Sequence, residues 1–398
     1  MTRETILIAA LAGRGLAASA RRAGYLPLVA DAFADTDTAE HAAAAVCVKD
    51  AARIGFRTKQ TLAALADLTA RAETPPVGLV LGSGFEDRPK LISVLERRYP
   101  LLGNDAATIA RCKHPSALVA LLDTHAIAHP QTRTTPPDDP SGWISKRIGG
   151  SGGTHIVPAA DDRELGARRY YQRRLDGVPH SVLALATRDG LRVIGISRQW
   201  SVGSGPRPFR YGGAVGPVEL APPLAAAMRA TAETLSAALK LVGLVSFDFM
   251  IVDGTAYLLE VNPRPGATLD VFDDEEGTLF KAHVAACTGH PLLLPSRSGC
   301  RAAAILYADR GPLVIGEAPW PDWTADRPAP GTRIPRYRPI ATVFASAPTP
   351  DAALGSSRQR LADLGDMLYA QARNRERNDN AEVQRPGPER LGARSQAR

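Results

Sequence analysis

The chain is short of cysteine: Cys47, Cys112, Cys287 and Cys300 stand far apart in 398 positions. No CxxC pair or Cys/His metal spacing arises, and scattered free thiols point to a reducing, cytoplasmic compartment. Nowhere do about 18 apolar residues run together, so no membrane-spanning helix is expected. The opening "MTRETILIAALAGRGLAASA" has only a short apolar stretch, broken by Gly13-Arg14-Gly15, and a first β-strand accounts for it better than a leader. There is no Ser-His-Asp or Cys-His arrangement and no internal repeat. A full G-x-G-x-x-G is also missing. "AGRG" at 12–15 matches it in part, so a tight strand-to-helix turn is preferred; on the dinucleotide alternative Asp31 would hold a ribose hydroxyl. Aromatic residues make up only 6% and do not interleave with basic ones. The net charge of +7, carried almost wholly by arginine, therefore does not read as a nucleic-acid surface.

What is present is alternation. "TILIAALAG", "YLPLVADAF" and "VGLVLGSG" read as strands, with helices over "RGLAASARRAG", 58–72 and 87–98. This pattern predicts a doubly wound parallel sheet over residues 1–104. Residues 105–130 read as helical and "TRTTPPDD" as a loop. "GWISKRI" and "THIVPA" read as strands around "GGSGG", and three more strands follow in 167–200. A helix over 221–241 precedes a hairpin, and a helix over 277–287 follows it. "CRAAAILYA" and "IATVFASA" are late strands, and a helix over 350–372 closes the fold. Residues 373–398 are charged and poor in large apolar groups, which predicts a disordered basic tail.

The hairpin "GLVSFDFMIVDGTAYLLEVNPRPG", 243–266, carries the chemistry. Strand side chains alternate between faces. Val245, Phe247, Phe249 and Ile251 share one face, and Ser246, Asp248 and Met250 the other; Glu260 and Asn262 oppose an apolar set in the second strand. A two-residue Asp253-Gly254 loop sends Asp248 and Glu260 to opposite faces, whereas a three-residue loop joins them. An unpartnered carboxylate in an apolar core is costly, so the three-residue register is expected. Two carboxylates and the Asn262 oxygen then form a patch for a hard cation, Mg²⁺ with Mn²⁺ as a substitute; edge-strand carboxylates without a metal are the plainer alternative. Zn²⁺ would call for His or Cys. Arg264, past the strand end, would reach phosphate or a developing oxyanion. Upstream, Lys146 precedes Gly149-Gly150-Ser151-Gly152-Gly153, whose backbone N–H groups suit a phosphate; an exposed hairpin tip is the alternative.

Taken together, "WISKRIGGSGGTHI", "YYQRRLDGVPHSVLALA", "FRYGGAVGP" and above all "LLEVNPRPG" resemble the ATP-grasp superfamily over nearly all of residues 1–350. Within it the chain looks most similar to poorly characterised ATP-dependent carboligases related to tyramine–glutamate ligases. "AGYLPLVADAFADTDT" and "LFKAHVAACTGHP" support that placement. The resemblance implies an α/β ATP-grasp fold: an N-terminal domain over 1–104, a small α+β lid over 105–185 and a C-terminal α+β domain over 186–372. It implies an ADP-forming ligase that joins a carboxylic acid to an amine through an acyl-phosphate, in the biosynthesis of a C1-carrier cofactor. A carboxylase working through carboxyphosphate, a non-catalytic ATP sensor and a nicotinamide-dependent reductase are the alternatives. ATP and Mg²⁺ are the implied cofactors, and a homodimer is among the assemblies allowed.

Residue by residue, the resemblance assigns Lys146 to the α- and β-phosphates, under a flexible lid containing Gly150, Ser151, Gly152 and Gly153. The segment 172–175, with Gln172, Arg173 and Leu175, would line the adenine pocket mostly through backbone groups, and His180 would contact the ribose. Asp248, Glu260 and Asn262 would hold Mg²⁺, and Arg264 would stabilise the acyl-phosphate. A second lysine is expected before the lid; Lys113 is the candidate, with Arg111 as its competitor. Many members carry an acidic residue after the position of Gln172, whereas this chain has Arg173 and Arg174. His155 and His283 read as satisfied histidines before they read as substrate contacts.

Overall fold

The computed structural model describes residues 3–163, 168–205, 207–291, 293–296, 298–317 and 319–383. The first sheet contains β1 (Thr5–Ala9), β2 (Leu26–Asp31), β3 (Ala44–Cys47) and β4 (Leu79–Leu81), all parallel in the order β3-β2-β1-β4. Every residue of β1 is buried. Helices cover both faces of such a sheet, so its strands read as apolar runs rather than as alternation. The parallel sheet expected from the sequence is present; β3, four small residues without period, was not foreseen.

A small antiparallel sheet follows: β5 (Thr132–Arg133), β6 (Trp143–Arg147), β7 (Val157–Pro158) and β8 (Arg169–Arg173), in the order β5-β8-β6-β7. The central antiparallel sheet has eight strands. They are β9 (Val178–Thr187), β10 (Gly190–Ser201), β11 (Tyr211–Gly216), β12 (Gly243–Val252), β13 (Thr255–Asn262), β14 (Cys300–Tyr307), β16 (Thr324–Ala325) and β18 (Pro339–Ala347), in the order β13-β12-β9-β10-β11-β14-β18-β16. The short strands β15 (Leu313–Val314) and β17 (Arg333–Ile334) pair separately.

Two sequence expectations change here. The lid boundary at residue 185 falls inside β9, which pairs with β10 and β12 of the central sheet. The closing helix runs from Pro350 to Val383, past the predicted end at 372. The remainder of the predicted disordered tail, 384–398, lies outside the described residues. Among the described residues, no helix is long and apolar enough to cross a membrane.

The two faces of the central sheet have different partners. Val182, Ala184, Phe247 and Phe249 pack with Met228 and Leu235 of the helix Pro222–Leu239. Leu183, Leu185 and Leu244 point the other way and share one buried cluster with Ile6, Ile8 and Val29 of the first sheet. Further along this second face, β9 and β12 present Ser181 and Asp248, which are register partners. The helix Thr278–Thr288, packed on β12 and β9 and against the helix Arg14–Arg22, covers one end of this face, and Ser181 and Asp248 lie toward the other.

Phe247 is fully buried between the sheet and that helix. Phe247→Ala is expected to cost about 3–5 kcal/mol in urea denaturation. A loss below about 1 kcal/mol would contradict this assignment of the core face.

Candidate functional site

Hairpin register decides whether the two acids meet. Asp253 and Gly254 have φ of 46° and 77°, both left-handed, and Val252 pairs with Thr255. This is the two-residue turn that Asp-Gly favours, so the expected three-residue loop does not form. The register is repaired further along: Phe249 pairs with Leu258, but Asp248 pairs with Glu260 and Ser246 with Asn262. Leu259 is the extra residue of a β-bulge. Directly opposed residues share a face, so Asp248, Glu260 and Asn262 come together as the sequence reading required.

Hydrogen bonds connect this patch. Asn262 Nδ2 donates to Asp248 Oδ2 at 2.8 Å. Lys113, at the end of the helix Ala106–Lys113, donates through Nζ to Asn262 Oδ1 at 2.9 Å and forms an ion pair with Glu260. Lys113 therefore joins the site. Arg111 instead donates to Leu239 O at 2.8 Å and faces away. From β10, Gln199 Nε2 reaches Asp248 Oδ1 at 3.5 Å.

Burial alone would push the Glu260 carboxyl up, but the charges of Lys113 and Lys146 outweigh it and hold the group at about 2. Asp248 shifts the opposite way, because burial and the nearby Glu260 charge both raise it. Two facing carboxylates with pKa values driven apart mark a place where a cation is in demand. Among the described residues, no three His, Cys, Asp or Glu side chains converge on a metal-sized centre. Two carboxylates and an amide oxygen still match Mg²⁺, which draws its other ligands from phosphate and water.

The small sheet brings Lys146 to the same place. Lys146 is buried, with Nζ 3.4 Å from Gln172 Oε1 and over the Tyr170 ring at 5.6 Å. Burial disfavours its charge, yet the neighbouring Tyr170 and Glu260 raise its pKa. A small, partly open cleft runs between this sheet and β13. Leu118, Leu122 and Leu258 form its apolar wall, and Lys113, Gln172 and Glu260 its polar one. Burial pushes the thiol of Cys112, also in the cleft, up to about 12, so it supplies no nucleophile.

Gly149 and Gly150 of the Gly149–Gly153 loop line the cleft. Gly149 lies so close to Glu86 and Asp87 that a Cβ would come within 2.6 Å of their backbone. At Gly153 a Cβ would come within 1.9 Å of Phe209 O. Gly152 O accepts from Tyr211 N at 2.9 Å. Glycine is needed here for close approach to two neighbouring segments as well as for positive φ.

Other assignments sort by strand face. Arg173 pairs with Trp143, on the opposite face from Gln172 and Lys146, and donates to Ser141 O at 2.9 Å. Its side chain therefore turns away from the face that carries Gln172 and Lys146. Leu175 is half-buried at the turn before β9. His180 pairs with Phe249 on the helix-facing side, away from Asp248, and its Nδ1 lies 3.1 Å from Val178 O. The expected ribose contact is not where the strand places this ring. His283 is a satisfied core histidine: Nδ1 accepts from Leu244 N at 2.9 Å and Nε2 donates to Leu102 O at 3.1 Å. His155 is different, because its buried Nδ1 has no hydrogen-bond partner.

Sequence reading missed Glu86. Arg264 Nε donates to Glu86 Oε1, while Glu86 Oε2 accepts from Gly84 N at 2.8 Å and Phe85 N at 3.0 Å. Glu86 is buried; Arg264 and Lys113 overcome the effect of burial and hold its carboxyl below the usual range. It follows β4 at the C-terminal edge of a parallel sheet, the one positional signal available for it. Tyr211 was missed as well: its buried hydroxyl has no partner, and its electrostatic neighbours include Asp248 and Asp270.

Residues 116–268 match the family model described as ATP-grasp domain. That stretch, less than half of the chain, is similar to an ATP-grasp domain. Over 237 residues it is 24% identical to the carbamoyl phosphate synthase large chain of Myxococcus xanthus, covering 53% of this chain and 22% of that protein. The chain thus matches less than a quarter of that relative's length. Biotin carboxylase from Campylobacter jejuni, solved as a β-γ-ATP complex, superposes with a TM-score of 0.67 at 14% identity, over 89% of this chain and 90% of that one. L-amino acid ligase from Bacillus licheniformis superposes with a TM-score of 0.64 at 15% identity, over 91% and 98%. At such identities the likeness is one of fold, and the α/β ATP-grasp fold class expected from the sequence is borne out. In this ATP-grasp domain the hairpin with its bulge and the glycine loop face each other across the cleft.

A pH prediction follows from the Glu260 pairing. Its folded pKa of about 2 lies below the ordinary 4.5, so the pairing's contribution is complete above pH 4.5 and fades as pH falls toward about 2. Lys113→Met removes the leading favourable charge. In metal-free protein the stability gap between wild type and variant is expected to be widest above pH 4.5 and to close toward pH 2. Urea titrations across that window check it; a constant gap would mean that Lys113 does not hold Glu260.

Proposed function

We propose that this chain is an ATP-dependent ligase that activates a substrate carboxylate as an acyl-phosphate and joins it to an amine. The reading is carried by the bulged hairpin, which sets Asp248 opposite Glu260 within reach of Lys113 and Lys146. The carboxylate oxygen would attack the terminal phosphorus of ATP, and ADP would leave. The amine nitrogen would then attack the acyl carbon, the C–O bond to phosphate would break, and the amine would release a proton.

Mg²⁺, held by Asp248, Glu260 and Asn262, would neutralise charge on the phosphates and orient them. Lys146 would meet the α- and β-phosphates, with Lys113 beside them. The backbone of Gly150, Ser151, Gly152 and Gly153 would close over the phosphates and exclude water. Gln172 and the backbone of Arg173–Leu175 would border the base. Arg264, aligned by Glu86, would stabilise the acyl-phosphate and the tetrahedral state after it. Catalysis of this kind is positioning and charge neutralisation, with no side-chain nucleophile required. The amino acid ligase of the same fold supports an amine acceptor.

The biotin carboxylase and carbamoyl phosphate synthase likenesses favour a second reading, a carboxylase using bicarbonate, through the same ATP site. An ADP-release screen with panels of carboxylic acids, amines and bicarbonate separates the two. Mg²⁺-dependent release that needs both an acid and an amine is the expected result; release driven by bicarbonate overturns amide ligation. With a productive pair, Glu260→Ala should lower turnover roughly hundredfold or more while the protein stays folded by circular dichroism. Turnover within a few-fold of wild type would contradict the metal assignment.

A further inference from the structure

We propose that Asn104 is a positioning residue of the site: its one buried amide holds both ends of the hairpin and thereby sets Lys113 on Glu260 and Arg264 on Glu86. The consequence for catalysis rests on the ligase reading above. Asn104 is 5% exposed. Its Oδ1 accepts from Val242 N at 3.0 Å, and its Nδ2 donates to Val242 O at 3.0 Å and to Pro263 O at 3.0 Å. Val242 immediately precedes β12, and Pro263 immediately follows β13. These partners fix which way the amide points, because only its oxygen accepts from an N–H and only its nitrogen donates to carbonyls.

A primary amide offers the same donor and acceptor as a peptide group. Toward Val242 it therefore does what a neighbouring strand would do, at the point where β12 begins. His283 ties Leu102 to Leu244 alongside, and Asn104 adds the link to the exit of β13. The two ends of the hairpin are thus held by one side chain from the segment that leaves the first sheet.

Both cations of the site start from this clamp. Pro263 lies between Asn262 and Arg264, so holding its carbonyl fixes the peptide plane from which the Arg264 side chain leaves toward Glu86. In the other direction, Asp105 caps the helix Ala106–Lys113 by accepting from Thr108 N at 2.7 Å. That helix ends in Lys113, which meets Glu260 and Asn262. Buried ion pairs offset their desolvation only in close, well-directed geometry. Sliding the hairpin against the helix would open both pairs at once, and a neutral amide prevents it without bringing another charge among them.

A double-mutant comparison on the metal-free full chain tests the clamp without a known substrate. Asn104→Leu keeps roughly the same size and removes all three bonds. The eight-residue helix between Asn104 and Lys113 is about 12 Å long, so substitutions at the two positions add unless one positions the other. At neutral pH, Lys113→Met is expected to lower the urea midpoint at least twice as far in wild type as in the Asn104→Leu background. Equal shifts in both backgrounds would mean that Asn104 only supports the fold, and would overturn the assignment. Should Asn104→Leu fail to fold, Asn104→Asp decides by the same comparison, since it keeps the oxygen toward Val242 N and removes both donors. With a productive acid–amine pair, kcat per folded molecule is expected to fall roughly tenfold or more in either variant, with KM for ATP within about threefold. Lys146 and Gln172 stand on strands that Asn104 does not hold. An unchanged kcat overturns the assignment. Wild-type protein that releases no ADP with any pair removes the ligase reading, and the midpoint comparison then decides the role of Asn104 by itself.

Discussion

Side chains alternate along a strand, so the Asp253–Gly254 turn commits each residue of β13 to a face before the chain reaches Glu260. Left to that turn, Glu260 would lie opposite Phe247, in the apolar layer against the helix Pro222–Leu239. The bulge at Leu259 absorbs one residue and rotates the remainder of β13 by half a period. Glu260 then faces Asp248, Asn262 follows, and Val261 takes the core position beside Phe247. Local turn preference and functional geometry conflict in this hairpin, and one inserted residue satisfies both.

The rest of the site supplies charges for that hairpin from separate parts of the chain. Lys113 comes from the helix before the small sheet, Lys146 from β6, and the Arg264–Glu86 pair ties the hairpin's end to the first sheet. A buried carboxylate is tolerable only beside cations, and a buried cation only beside carboxylates. Lys113 and Lys146 hold Glu260 in its charged form, Arg264 and Lys113 hold Glu86, and the three sheets are linked through the site. The glycine loop completes the enclosure by touching the β4–Glu86 segment on one side and Phe209–Tyr211 on the other.

Two buried polar atoms without a hydrogen-bond partner, His155 Nδ1 and the Tyr211 hydroxyl, lie near the acids: the His155 ring borders the cleft, and the Asp248 charge acts on Tyr211. His283, equally buried, shows the contrast: both of its ring nitrogens are used to tie Leu102 to Leu244. One histidine stabilises the fold, and the other is left with bonding capacity that the fold does not use.

The sequence by itself determined the parallel first sheet, the paired acids with their apolar partners, and the glycine loop after Lys146, because each rests on local period or residue type. It also showed that the acids had to share a face, though not by what device. Only the tertiary structure decided the bulge at Leu259, since turn residues report the turn and nothing local reports an insertion further along. Strand pairing likewise decided that His180 and the Arg173 side chain turn away, and that β9 belongs to the central sheet rather than to the lid. Glu86 became visible only when the first sheet met the hairpin, because a carboxylate in a glycine-rich loop has no identity until folding brings Arg264 to it. Alternation is written in neighbouring residues, whereas register, facing and charge pairing are set by contacts between residues far apart in the chain.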